Sequence, residues 1–133
     1  MKKINSACII DDDQIFVYGT KRIMKDSSFC DTIYVFENGL DAITALKKMT
    51  VAGIELPRLI FLDLNMPIMD GWEFLEDFQK IPSKIREKVT IYIISSSIDP
   101  RDLERVKEYG VVSDYILKPV TPKDLKNLIE EIE

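Results

Sequence analysis

Short apolar runs alternate with amphipathic stretches five times along the chain, and this rhythm constrains the fold more tightly than any bulk property. The runs at residues 7–10, 32–36, 58–62, 90–94 and 113–117 are rich in Val, Ile, Leu, Phe and Tyr, as expected of parallel strands covered on both faces. Between them lie one-sided stripes: Ala42, Ile43, Leu46 and Met49; then Phe74, Leu75, Phe78 and Ile81; then Leu125, Leu128, Ile129 and Ile132. The first helix, from about Gln14 to Met24, reads less cleanly because Gly19 interrupts it. Two helix starts carry their own caps, Asp99 before Pro100 and Thr121 before Pro122. Strict β–α alternation implies a doubly wound α/β fold, a parallel sheet with right-handed crossovers and helices on both faces. The last helix is expected to run to Glu133, so the chain reads as one domain over residues 1–133 with no output domain attached.

Composition removes several functions. The formal net charge of -5, from 23 acidic and 18 basic residues, argues against a nucleic-acid surface, which needs a basic patch. No apolar run approaches the ~20 residues of a membrane span, and the apolar part of "MKKINSACII" is short for a signal peptide, so a cytoplasmic protein is expected. Cys8 in an apolar run and Cys30 in an expected turn form no CxxC pair, which argues against a zinc site or a disulfide framework. The histidine count is 0, which excludes His-based triads, His-metal sites and a phosphohistidine on this chain. Chemistry is left to carboxylates, hydroxyls and lysine.

In an open α/β sheet ligands bind beyond the carboxyl ends of the strands. Here those ends carry Asp11, Asp12 and Asp13 after the first strand and Asp63 after the third. Ser95, Ser96 and Ser97 follow the fourth strand, and Lys118 with Pro119 follows the fifth. Taken singly each has an ordinary reading: a solvated acidic turn, a serine cap, a surface lysine before a helix-starting proline. Equivalent positions on one sheet, however, converge in space. Two carboxylates ~4 Å apart repel by about 4 kcal/mol at the effective dielectric of a protein surface, so a cation or a proton must join them. Oxygen-only donors select a hard divalent ion, and Mg²⁺ fits best. A carboxylate flanked by Mg²⁺, a lysine ammonium and a hydroxyl is suited to phosphoryl transfer, with Asp63 as nucleophile.

The segments "CIIDDDQIF", "LIFLDLNMPIMDGWEFL", "IYIISSS" and "DYILKPV" together resemble the receiver domain of bacterial two-component response regulators, in particular the stand-alone, chemotaxis-regulator type. The resemblance implies a flavodoxin-like (βα)5 fold with strand order 2-1-3-4-5. It implies Asp63 as phospho-acceptor, Asp12 as a direct Mg²⁺ ligand, Asp11 acting mainly through a metal-bound water, and the Asn65 main-chain carbonyl as a further ligand. Lys118 would pair with the phosphoryl group, with a cis bond to Pro119 aiming it. Ser95 and Tyr115 match the hydroxyl and aromatic switch positions; serine stands at 95 where threonine is frequent. Asp13 is expected to be a solvated helix-start residue.

On this reading the partners are a histidine kinase or histidine phosphotransfer protein and an unspecified downstream protein. Nucleic acid and membrane are not expected as partners, and the chain would be a monomer or a phosphorylation-linked homodimer. The chain would not be an enzyme in the ordinary sense, although Asp63 phosphorylation and dephosphorylation are partly self-catalysed in proteins it resembles. Two alternatives stand beside this. A Mg²⁺-dependent aspartyl-phosphate phosphohydrolase of the haloacid dehalogenase type would want an acid two residues after Asp63, where Asn65 stands. A degenerate receiver used only for docking would fail to bind Mg²⁺.

Overall fold

The structure, a computed structural model, describes residues 4–97 and 99–132. Five parallel strands, β1 (Ile4–Ile10), β2 (Cys30–Phe36), β3 (Leu59–Asp63), β4 (Thr90–Ser95) and β5 (Val112–Leu117), form one sheet in the order β2-β1-β3-β4-β5. The helices are α1 (Gln14–Asp26), α2 (Gly39–Ala52), α3 (Gly71–Phe78), α4 (Ser83–Arg86), α5 (Pro100–Val106) and α6 (Pro122–Ile132). The order reverses between β1 and β3, so the ends of those strands flank the crevice where such sheets bind ligands.

Alternation along each strand divides the interior in two. Ala7, Ile9, Phe61, Tyr92 and Ile94 face α1 and α6, where Phe16, Met24, Leu125 and Leu128 meet them. Cys8, Ile10, Ile60, Leu62 and Ile93 face the opposite way, against Ala42, Leu46, Phe74 and Phe78 of α2 and α3. Each fully buried aliphatic or aromatic side chain contributes roughly 1.5–3 kcal/mol, so the central strands are held from both sides. The edge strands β2 and β5 are only half-buried, and their sequences accordingly mix polar residues such as Asp31, Thr32, Ser113 and Asp114 among the apolar ones.

Several expectations need correction. Gly19 does not interrupt α1, which continues to Asp26; the thirteen-residue helix outweighs the roughly 1 kcal/mol cost of one glycine. Cys30 opens β2 rather than lying in a turn, because Ile4 of β1 pairs with it. The connection "KIPSKIREKV" contains the one-turn helix α4, so the described residues form six helices where the rhythm of the sequence gives five. Ile81 is buried as the stripe implied, yet it lies past the end of α3. Helix α6 is described to Ile132, and Glu133 lies outside the described residues.

Candidate functional site

Asp11 follows β1 directly, and its N–H donates to the Phe36 carbonyl at 3.0 Å, so the ladder with β2 carries on one residue beyond the strand. That pins the carboxylate at 1% exposure. One oxygen, Oδ1, accepts the Asp13 N–H at 2.9 Å. The other, Oδ2, lies 2.8 Å from the Lys118 ammonium. That approach is an ion pair but not a directed hydrogen bond, and Oδ2 has no hydrogen-bond partner among the described residues. Asp12, next along, is exposed. Asp13 accepts from the N–H groups of Ile15 and Phe16 at 3.0 and 3.1 Å; it is exposed and is the N-cap of α1, the solvated helix-start residue expected with a definite capping task.

Asp63 is the last residue of β3, paired in register with Ile94. Its loop is anchored immediately: Gly71 N–H donates to the Leu64 carbonyl at 3.0 Å, and a Cβ at Gly71 would stand 2.6 Å from the Asp63 carbonyl oxygen. On the far side, Lys118 N–H donates at 2.7 Å to the carbonyl of Ser95, the last residue of β4, so the β4–β5 ladder carries on one residue past β5. The Lys118–Pro119 bond is cis, as expected. The lysine stem passes beside α1, with Nζ 4.6 Å from the centre of the Phe16 ring.

These placements bring Asp11, Asp12 and Asp63 together, with one carboxylate oxygen from each lying within 4.8 Å of the others. Burial first, and then the Asp11 charge, push the Asp63 carboxyl up to about 6; the Lys118 ammonium and the Asn65 backbone N–H pull the other way. The cluster therefore holds more negative charge than its one lysine balances. A buried carboxylate oxygen with no directed partner, in a set of oxygen donors only, fits a hard divalent cation such as Mg²⁺.

The remaining site residues stand at the rim. The Ser95 hydroxyl donates to the Ser97 carbonyl at 2.6 Å, and the Tyr115 hydroxyl lies 3.5 Å from that same carbonyl. Ser96 and Ser97 are exposed. The strand-end pattern did not reveal a cluster behind the site. There the Arg105 guanidinium of α5 lies 4.2 Å from the centre of the Trp72 ring of α3, Trp72 and Tyr109 rings are 5.9 Å apart, and Tyr109 Oη donates to Glu76 at 2.7 Å. Only the helix-face spacing of Trp72 and Glu76, four apart, hinted at it.

A doubly wound sheet with an acidic pocket at its order reversal and a lysine reaching in from the last strand defines a class of signalling domain. The response regulator receiver domain family matches residues 7–130, and the chain belongs to it. It is therefore the receiver domain of a response regulator in two-component signal transduction. The crystal structure of a two-component response regulator from Cytophaga hutchinsonii is 32% identical, with TM-score 0.89 and 98% of each chain covered. The Mn²⁺-bound form of response regulator Rcp1 is 25% identical with TM-score 0.72, over 97% of this chain and 91% of that one. A probable methanogenesis regulatory protein, FilR2, of Methanothrix harundinacea is 27% identical across 94% of this chain and 79% of its own length. Of two further relatives from Staphylococcus epidermidis the chain spans 44%. Among the described residues no helix is long and apolar enough to cross a membrane.

Proposed function

We propose that Asp63 is the phospho-acceptor of a phosphorelay and that Mg²⁺ binds between Asp11, Asp12, Asp63 and the Asn65 main-chain carbonyl. A histidine kinase or phosphotransfer protein is the donor. The observation that carries this is the crowding of three carboxylates around a single lysine, a cluster that a divalent cation would relieve. The Mn²⁺ in the Rcp1 structure supports the choice of a hard divalent ion. When bound, Mg²⁺ supplies positive charge for the phosphoryl oxygens. The chain's own residues do the rest. An Asp63 Oδ attacks phosphorus as the P–N bond of the donor phosphohistidine breaks, and the bond pair leaves on the imidazole nitrogen, which takes up a proton. Lys118 holds an ammonium beside the incoming dianion, and Ser95 offers its hydroxyl once released from Ser97.

Output then passes through the face formed by α5, β5 and α6. A new dianion at Asp63 draws Ser95 inward and lets Tyr115 follow, shifting a population rather than building a new fold. The domain works in the cytoplasm as a signalling module, monomeric or dimerising on phosphorylation. The test is incubation with acetyl phosphate and Mg²⁺, with intact mass as the readout. The parent should gain one phosphoryl group and Asp63→Asn none; equal uptake by Asp63→Asn would remove Asp63 from its role.

A further inference from the structure

We propose that Gly39, at the start of α2 and outside the acidic pocket, is a positioning residue that fixes the loop carrying Asn65 and thereby sets the affinity of the pocket for Mg²⁺. The inference rests on the proposed phospho-acceptor site and concerns how its geometry is held.

Residues 64–69 join Asp63 to Asp70, the N-cap of α3, and they are pinned at their far end from two sides. From below, Gly71 presses on the Asp63 carbonyl and on Leu64. From the side, Gly39 donates its N–H to the Met69 carbonyl at 2.8 Å. A Cβ at Gly39 would lie 2.8 Å from that oxygen, 3.1 Å from the Asp70 carbonyl oxygen and 3.0 Å from Met69 Cγ. Two of those three neighbours are backbone, so no rotamer change relieves the contact.

The span between the anchors has little slack. Met69 N–H closes a tight turn onto the Pro67 carbonyl at 2.8 Å, and Ile68 sits at φ 71, left-handed backbone that a β-branched side chain rarely adopts. Ile68 is also 74% exposed, so side-chain packing does not explain its conformation. The turn is held from its ends instead. Within the span, Asn65 stands two residues past Asp63, so a shift of the loop moves the carbonyl assigned to the cation.

If a side chain were added at Gly39, the loop would move rather than the helix. Helix α2 is seated by Ala42, Ile43 and Leu46, all nearly inaccessible, and by its Asn38 cap, whose side chain accepts the Asp41 N–H at 2.8 Å. Asn65, Pro67 and Ile68 are exposed or nearly so. The displacement therefore passes into residues 65–68.

The experiment titrates Mg²⁺ calorimetrically into the folded parent, Gly39→Ala, and Gly19→Ala as a matched control. A Cβ at Gly19 meets nothing within 4 Å, so the control makes the same chemical change in open space. Gly39→Ala should bind Mg²⁺ roughly tenfold more weakly, the scale on which groups behind metal ligands act, while Gly19→Ala matches the parent. Binding by Gly39→Ala within about twofold of the parent overturns the proposal. Should Gly39→Ala fail to fold, amide exchange in the parent decides. Coupling is reciprocal, so Mg²⁺ must slow exchange of the Gly39 N–H, which is not a ligand; an unchanged Gly39 rate, alongside shifted Asp12 and Asp63 resonances, overturns the proposal equally. A parent that ignores Mg²⁺ altogether sinks the functional reading and this inference with it, whereas a parent that binds Mg²⁺ indifferently to Gly39 sinks only the inference.

Discussion

Asp11 is a carboxylate at 1% exposure whose charge is met by Lys118, and the same ammonium acts on Asp63. One ammonium thus serves two acids, and Asp63 is the one left short. Its carboxyl is pushed up to about 6, so between about pH 4 and 6 the folded chain holds a proton that the unfolded chain releases. The stability this group contributes is therefore complete below its ordinary range and is lost as pH rises through about 6. Without Mg²⁺, Asp63→Asn should be more stable than the parent at pH 7.5 by about 1 kcal/mol, reduced from the full shift because Asp63 is only partly buried, and the gap should close by pH 4. Urea midpoints of both proteins across that range check it; a gap that widened on acidification would reverse the sign. The strand-end charges themselves were readable in the sequence because they interrupt apolar runs. The division of labour among Asp11, Asp12 and Asp13 was not readable from the residues themselves and came only from the family resemblance. Adjacent aspartates look alike in one dimension, and only the turn geometry makes Asp11 buried, Asp12 exposed and Asp13 a cap.

At the scale of elements, α5 is the lightly held helix. None of its residues is fully buried; Arg105 lies over Trp72 of α3, and Tyr109, three residues past the end of α5, donates to Glu76. Between α5 and β5 lies a groove of about 530 Å³ reached by both Tyr109 and Tyr115. An element with few buried apolar contacts is the one that a signal can displace at low cost. Beryllofluoride with Mg²⁺ should move backbone resonances across residues 103–109 and at Tyr115, and Tyr109→Phe, which deletes the Glu76 bond, should enlarge the shifts at α5. Resonances that stay fixed in both proteins would separate α5 from the signal. The caps of α5 and α6 were legible because Asp99 and Thr121 precede prolines, and both caps are made. Helix α4 was not legible, since four residues complete barely one turn and show no periodicity. Gly39 was equally silent, because a close approach between backbones leaves no mark on hydrophobic spacing.

For the molecule as a whole, the fold class followed from the alternation, while the strand order 2-1-3-4-5 came from family resemblance; the described sheet has that order. Composition does show which strands lie at the edges, through polar residues in β2 and β5. Cys8 of β1 lies in the core between the sheet and helices α2 and α3, with no exposed surface. Burial raises its thiol far above the ordinary range, so it should resist modification until the sheet opens. A thiol-specific reagent should label Cys8 only at the rate of global unfolding, read by mass after proteolysis; labelling faster than that rate would mean that the centre opens locally. The chain has a single tryptophan, and Trp72 stands one residue past the Gly71 anchor on Asp63 with an α5 guanidinium over its ring. Its indole emission is consequently a built-in gauge of the distance between the phosphate-accepting loop and the output helix, legible in a cuvette with no added dye.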